Sequence, residues 1–437
     1  MILKSERINI SKGINLNLIK MDKFKSNLLS IYLINPLERK NVTKNALIPL
    51  VLKRGTNTLN TNLEIQRKLE EMYGSDLSIS VNKRGEKHVI RFTIEGPKTI
   101  YVNDKKYMME IVDLLKSLSF NPYLEKGVFS EEYVEQEKEN LKRLIEAKIN
   151  DKRSYAIERC IEEMCKNEKF SIYSLGYIED LEKIDNRTLY EYYKNIISRA
   201  PIEIFYVGQY ENDFIDYLTT SFKLDRGDIF KFDREYITGN VQIKNMVYED
   251  MDINQGKLVL GYRTDIPYES SLYNGLLVAS EILGGGSNSK LFRSVREEES
   301  LAYYIGSKVY KYKSLMLIDG GIDFDNFERT IEIIRCKIDE MKKGDFTKED
   351  MDIAKKSIKT SMKSINDSIF LISEFFFSQV LTDDERSLEE ILGDIDRVTE
   401  EEIIQASNNI NLDTIYFLKK SIQRRIQYGN NRKQKNR

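Results

Sequence analysis

Arg296 and Tyr303 stand seven positions apart in the stretch SVREEESLAYYIG, just after a triple glycine. A guanidinium does not deprotonate in a protein and a phenol donates a hydrogen bond. Together they can hold a carbonyl oxygen or stabilise the oxyanion it becomes. Positions i and i+7 share a helix face, and a helix ending near Ser300 still lets Tyr303 project to the side that Arg296 faces. A plainer alternative pairs Arg296 with Glu298 or Glu299 at the surface and leaves Tyr303 half-buried at a strand start.

Other chemistry is harder to find. His88 is the single histidine, so a two-histidine metal site within this chain is impossible by count. It lies in KHVIRFTIEG, an alternating run that reads as a strand, with no G-x-S-x-G context to suggest a triad. The loop GGGSNSK, residues 284–290, is not a phosphate loop, because the glycines follow an apolar helical stretch and read as its C-cap. The segment SNSKLFRSVREEE then reads as a further helix capped by Ser287 or Asn288. Cys160, Cys165 and Cys336 make no disulfide framework and read as buried thiols.

Composition narrows the class. Charged residues are 32% and apolar residues 41%, an ordinary globular balance. Net charge is −2, from 68 basic and 70 acidic residues. That balance argues against nucleic-acid binding, which needs a basic excess. No run approaches ~20 apolar residues, so no membrane span is expected. The N-terminus reads as strands without a signal peptide, so a cytoplasmic location is expected. The C-terminal KKSIQRRIQYGNNRKQKNR is basic without an acidic residue and reads as a solvated tail.

The elements that must position Arg296 and Tyr303 come in a pattern stated twice. KGVFSEEYVEQEKENLK, from Lys126, resembles KGDFTKEDMDIAKKSIK, from Lys343, and Ser130 and Thr347 read as N-caps of long helices. An amphipathic helical stretch precedes each, YMMEIVDLLKSL and TIEIIRCKIDEM. The motif Ile-Asp-x-x-Thr recurs from Ile184 and Ile395, with Thr188 and Thr399 as further N-caps. Each copy leads to a β-rich run, IEIFYVG and TIYFLKK. NLLSIYLINP and KLVLGYRTDIP open the halves as strands closed by Pro36 and Pro267. The fold class expected is α+β: two tandem homologous domains, each a mainly antiparallel sheet covered by helices on one face. The boundaries expected are 1–222, a charged linker at 223–240, 241–420, and a basic tail at 421–437. Paired domains commonly enclose a site between them.

The stretch EILGGGSNSKLFRSVREEESLAYYIGSKVY resembles the C-terminal-domain signature of the pitrilysin/insulinase zinc metallopeptidases. Leu283, Gly284, Gly285, Ser289, Leu291, Phe292, Arg296, Leu301, Ala302 and Tyr303 carry the match. The resemblance extends over nearly the whole chain and implies the LuxS/insulinase-like metalloenzyme fold. Members carry H-x-x-E-H in the first half. Here ALIPLVLKRGT, aligned on Gly55-Thr56, puts Ala46, Pro49 and Leu50 at those positions. The third ligand, a helical glutamate, falls at Arg143 or Leu144. The resemblance therefore implies a chain with no metal of its own. Pro49 also suggests a helix that is kinked or starts late. In length and missing motif the chain is similar to a bacterial subgroup named for an association with elongation factor P 5-aminopentanol modification.

The family's shorter branch works as two-subunit clamshells. The resemblance thus implies the non-catalytic partner of a heterodimeric zinc peptidase, with zinc on an H-x-x-E-H-containing homologous subunit. Arg296 and Tyr303 would act in trans on a peptide substrate held at a free sheet edge. Two other classes stand beside this one. One is a peptide-binding or scaffold protein with no catalytic contribution. The other is an enzyme acting alone, for which the sequence displays no nucleophile–base pair.

Overall fold

The computed structural model describes residues 4–102, 104, 106–233, 235 and 245–421. The first half runs β1 (Glu6–Ser11), β2 (Ile14–Lys20), β3 (Ser26–Pro36), α1 (Val42–Leu52), α2 (Asn62–Glu71), β4 (Asp76–Arg84) and β5 (Lys87–Pro97). It continues with α3 (Thr99–Val102), α4 (Tyr107–Phe120), α5 (Glu131–Glu146), α6 (Lys152–Met164), α7 (Ile178–Leu181), α8 (Asn186–Arg199), β6 (Ile202–Gly208) and α9 (Asn212–Ser221). The second half runs β7 (Asn245–Met251), β8 (Gly256–Arg263), α10 (Tyr273–Gly284), a π-helix (Phe292–Glu298), β9 (Ala302–Tyr310) and β10 (Leu315–Ile322). It closes with α11 (Phe327–Lys343), α12 (Lys348–Lys363), α13 (Ile369–Thr382), α14 (Leu388–Arg397), α15 (Glu400–Asn408) and β11 (Asn411–Lys420). The α+β class with two helix-covered sheets is as the sequence predicts.

One sheet has the strand order β1-β2-β6-β3-β5-β4 and the other β7-β11-β8-β10-β9. Pairing is antiparallel except for β2 with β6 and β7 with β11. The central strands are apolar on both faces. Along β3, Leu29, Ile31 and Leu33 enter the core under α1, α4, α5 and α8. Their alternates Leu28, Tyr32 and Ile34 enter a second cluster on the opposite face. β8 and β10 divide in the same way: Leu258, Leu260, Met316 and Ile318 face α10 and α11, while Val259, Leu315 and Leu317 face the other side.

The expectation of helices on one face is corrected here. The second face of each sheet is covered by a helix from the other half. Ile369, Ile372, Phe376 and Phe377 of α13 pack on β3 and β6. Ala156, Cys160, Ile161 and Met164 of α6 pack on β8 and β11. Strands buried on both faces need an apolar cover on each, and each half spends its own remaining helices on one face. Gly261 marks the closeness of the second contact, since a Cβ there would lie 2.7 Å from Met164 Sδ.

Several local readings are refined. Thr347 and Thr399 cap their helices in reciprocal boxes with Asp350 and Glu402. Ser130 holds the N-cap position of α5, but its buried hydroxyl makes no hydrogen bond. Thr188 is the third residue of α8, whose cap is Asp185. The helix after the triple glycine starts at Lys290 and is preceded by Ser289, whose Oγ accepts from the Phe292 amide, so Ser287 and Asn288 lie in the preceding turn. β8 ends at Arg263, four residues before Pro267. Cys160 and Cys165 are buried and Cys336 is exposed, because α11 turns that position outward.

The connecting segment is anchored where it is described. Arg226 donates to the carbonyl oxygens of Ile197, Gly13 and Ala200, and Glu235 accepts from the Glu86 amide at 2.9 Å. Residues 236–244 and 422–437, which include most of the basic tail, lie outside the described residues.

Two predictions follow from this packing. Phe377 is 1% exposed and stacks on Tyr32 at 4.0 Å between ring centroids. Phe377→Ala is expected to lower the unfolding free energy by about 3–5 kcal/mol in a denaturant titration. His88 on β5 is fully buried, Nδ1 accepting from Asn45 and Nε2 donating to the Ser174 carbonyl. Burial pushes its imidazole down to about 4. The unfolded chain takes up a proton near the ordinary histidine value and the folded chain does not, so stability falls as pH drops through that interval. The unfolding free energy should drop by about 2 kcal/mol from about pH 7 to about pH 5, and His88→Gln should flatten that slope.

Candidate functional site

The glycine-rich turn and the segment after it set the positions of Arg296 and Tyr303. α10 ends at Gly284, where a Cβ would lie 2.6 Å from the Ser307 amide nitrogen, so the helix end rests directly on β9. The chain then enters the π-helix, whose Ser294 and Val295 are buried and whose Arg296 is exposed. The Arg296 guanidinium lies over the Phe292 ring, 4.7 Å from its centroid. Glu299 pairs with Arg329 at 2.7 Å. Among the described residues, Arg296 makes no ion pair with a carboxylate.

The turn out of this helix is closed by the Leu301 amide donating to the Val295 carbonyl at 2.8 Å. Ser300, at φ +54°, takes the left-handed conformation that non-glycine residues rarely adopt. β9 is an edge strand, and its register against β10 shifts at its start. Ala302 faces Ile322 and Tyr304 faces Gly321, leaving Tyr303 as the extra residue of a bulge. Tyr303 is 62% exposed, with Asp323 Oδ1 3.5 Å from its hydroxyl. Three departures from regular geometry, a π-turn, a left-handed serine and a bulge, thus fall between residues 292 and 303. Such features cost energy and are concentrated where a side chain must be aimed. The sequence displays none of them, since the spacing alone reads as an ordinary helix followed by a strand.

The first half presents the matching helix pair. α1 packs against α5. Ala46 and Pro49 are buried on α1, and Leu50 is half-buried against the core. Arg143 and Leu144 are exposed on the last turn of α5. α1 starts at Val42, well ahead of Ala46, so the late start that Pro49 suggests does not occur. Pro49 sits in the last turns of the helix, where one backbone bond to the Asn45 carbonyl is lost, and burial of Leu47, Ile48, Val51 and Leu52 offsets it. These five positions offer zinc no imidazole, thiolate or carboxylate, so the donor set does not fit the ion. Among the described residues no group of three or more His, Cys, Asp or Glu is placed to hold a metal.

Two polar features beside these helices are invisible to motif reading. Asn45 joins α1 to His88 and accepts from the Tyr192 hydroxyl at 2.9 Å. Glu137 is buried on α5, where Arg54 lies 3.5 Å away and Asn140 donates at 2.8 Å. Only the fold brings these partners together.

A family model described as the peptidase M16 inactive domain matches residues 183–358. Over 409 residues the chain is 37% identical to a Bacillus subtilis (strain 168) protein named probable inactive metalloprotease YmfF, covering 93% of this chain and 96% of that one. Among solved structures, a conserved protein from Enterococcus faecalis V583 superposes with a TM-score of 0.87 at 26% identity, covering 95% of this chain and 99% of that chain. A peptidase M16 inactive domain from Pseudomonas fluorescens superposes with a TM-score of 0.77 at 15% identity, covering 96% and 98%. At that lower identity the likeness speaks to fold alone.

The donor set on α1 and α5 makes a direct prediction. Exhaustive chelation of the purified chain should leave its thermal midpoint unchanged. Added zinc should produce no saturable stabilisation of the kind that a bound ion confers by mass action.

Proposed function

The chain belongs to the M16 (pitrilysin/insulinase) peptidase family, and from that premise we propose that it is the metal-free subunit of a two-chain zinc peptidase. It is a peptidase-like chain whose own metal positions carry no ligands. In this reading Arg296 and Tyr303 donate to the carbonyl oxygen of a peptide whose cleavage is centred on the partner subunit. The metal chemistry belongs to that partner. This chain's two donors serve the oxygen as negative charge develops on it, where an aimed donor is worth most.

One observation carries the reading: the energetically costly backbone between residues 292 and 303. Among the described residues it leaves a guanidinium without a carboxylate partner, and it leaves a phenol mostly in solvent. A purely structural arginine would be expected to find one of the neighbouring glutamates, yet Glu299 is engaged by Arg329 instead. β9, which carries Tyr303, is also an edge strand. An extended peptide can add to such an edge through main-chain hydrogen bonds, which would bring its carbonyl groups beside the tyrosine.

The test is turnover of a peptide library by this chain mixed with the H-x-x-E-H-containing homologue from the same cell. Arg296→Ala and Tyr303→Phe should each lower kcat/KM by about 10²–10³-fold while size-exclusion chromatography still shows the complex. Unchanged turnover with intact assembly would assign the chain a scaffold or peptide-holding role. Failure of any H-x-x-E-H chain to associate would remove the two-chain reading itself.

A further inference from the structure

A nucleophile and a base stand together at a place that the peptidase reading does not use. The β9–β10 turn carries Lys311 and Tyr312, and α13 carries Ser378 on the turn before its end. Lys311 Nζ lies 2.8 Å from Ser378 Oγ, and the Tyr312 hydroxyl lies 2.9 Å from the same oxygen. Ser378 is partly exposed.

The surroundings of the lysine favour its neutral form. Among the described residues Lys311 makes no ion pair with a carboxylate, while the Tyr268 ring, its centroid 3.8 Å from Nζ, favours the ammonium and opposes the effect of burial. Tyr268 donates to Asp384, and Arg386 holds the same carboxylate at 2.9 Å, so this acid is engaged by other partners. Burial pushes the Lys311 ammonium down to about 8; Asp384 opposes this and Arg386 adds to it. Arg84, Glu374 and Glu235 are the charged groups whose fields reach Tyr312. A neutral amine can accept the Ser378 proton while the Tyr312 hydroxyl donates to Oγ from another direction. The nucleophile and the base are thus within hydrogen-bond reach, as serine activation requires, and the Tyr312 hydroxyl holds the nucleophile.

Space for a substrate adjoins the pair. A cavity of about 450 Å³ is lined by Tyr268, under Lys311, and by Thr382, one helical turn beyond Ser378, with Ser378 and Lys311 themselves outside its lining. Ser270, Ser271, Asn274 and Arg386 give that cavity a polar wall.

We propose that Ser378 is a nucleophile with Lys311 as its base, forming a site that takes the acyl group of a small polar ester. Ser378 Oγ bonds to the ester carbonyl carbon as its proton passes to Lys311 Nζ. The bond from that carbon to the ester oxygen breaks, and the alcohol leaves with the proton from Lys311. Water then attacks the acyl-serine, its proton passing through Lys311 back to Ser378 as the carboxylic acid departs. Tyr312 is a positioning residue that fixes Oγ. The pair needs nothing from a second subunit, so it stands or falls apart from the role of Arg296 and Tyr303.

The experiment treats the purified full chain with a fluorophosphonate, in which Ser378 Oγ displaces fluoride from phosphorus, and locates the adduct by peptide mass spectrometry. A single adduct on Ser378 is expected. Its rate should rise as pH passes through about 8, the value to which burial brings the lysine, and level off above it. Lys311→Met should slow labelling by about 100-fold with an unchanged far-ultraviolet spectrum, and Ser378→Ala should abolish it. The same chain should release p-nitrophenol from p-nitrophenyl acetate with the same pH dependence. Absence of a Ser378 adduct on the folded wild-type chain above that pH overturns the proposal, as does labelling that proceeds equally fast in Lys311→Met.

Discussion

Everything in this architecture depends on a shortage of cover. The central strands β3, β6, β8 and β10 bury side chains on both faces, while the local helices of each half cover only one. Exposed apolar sheet faces of this size would be costly in water. The chain resolves the shortage by exchange. α13 crosses to the sheet built from residues 6–208, and α6 crosses to the sheet built from residues 245–420.

Charge complementarity fixes where each crossing helix sits. Glu374 on α13 accepts from Arg91 at 2.9 Å, from Arg84 at 2.5 Å and from the Tyr32 hydroxyl at 2.9 Å, all on the sheet it covers. Arg153 at the start of α6 donates to Asp319 on β10 through Nε at 2.6 Å and Nη2 at 3.1 Å. Lys313, 1% exposed in side-chain area, bridges Glu86 of the β4–β5 turn and Glu168 beyond α6, each at 2.7 Å. Arg263 reaches the same Glu168 at 2.6 Å and Asp413 at 2.7 Å. Removing one partner from such a buried pair leaves an uncompensated charge, so the penalty attaches to misplacement of the helix and gives it a defined position.

Much of this was legible in the residues. Repeated segments such as KGDFTKEDMD and IDRVTEEE reveal the duplicated order, and the hydroxyl residues Thr347 and Thr399 mark helix starts because capping is a local interaction. The crossing helices were not legible in the same way. LLSIYLI in β3 is apolar at every position but Ser30, which signals burial on both faces, but periodicity cannot say which helix supplies the second cover. The candidate sites divide along the same line. Arg296, Tyr303 and the apolar residues of α1 are read from sequence because motif spacing is local. The left-handed Ser300, the bulge at Tyr303 and the meeting of Lys311 with Ser378 across 67 positions arise only from tertiary placement.

The reciprocal helices also constrain the history of the chain. A forerunner consisting of one half alone would have lacked its own second cover, and could have buried both sheet faces only by trading that helix with another copy of itself. Tandem duplication would then have converted a trade between two polypeptides into one within a single polypeptide. Once joined, neither copy can be discarded, because each completes the hydrophobic interior of the other. Ala46, Pro49 and Leu50 serve that shared interior through the packing of α1.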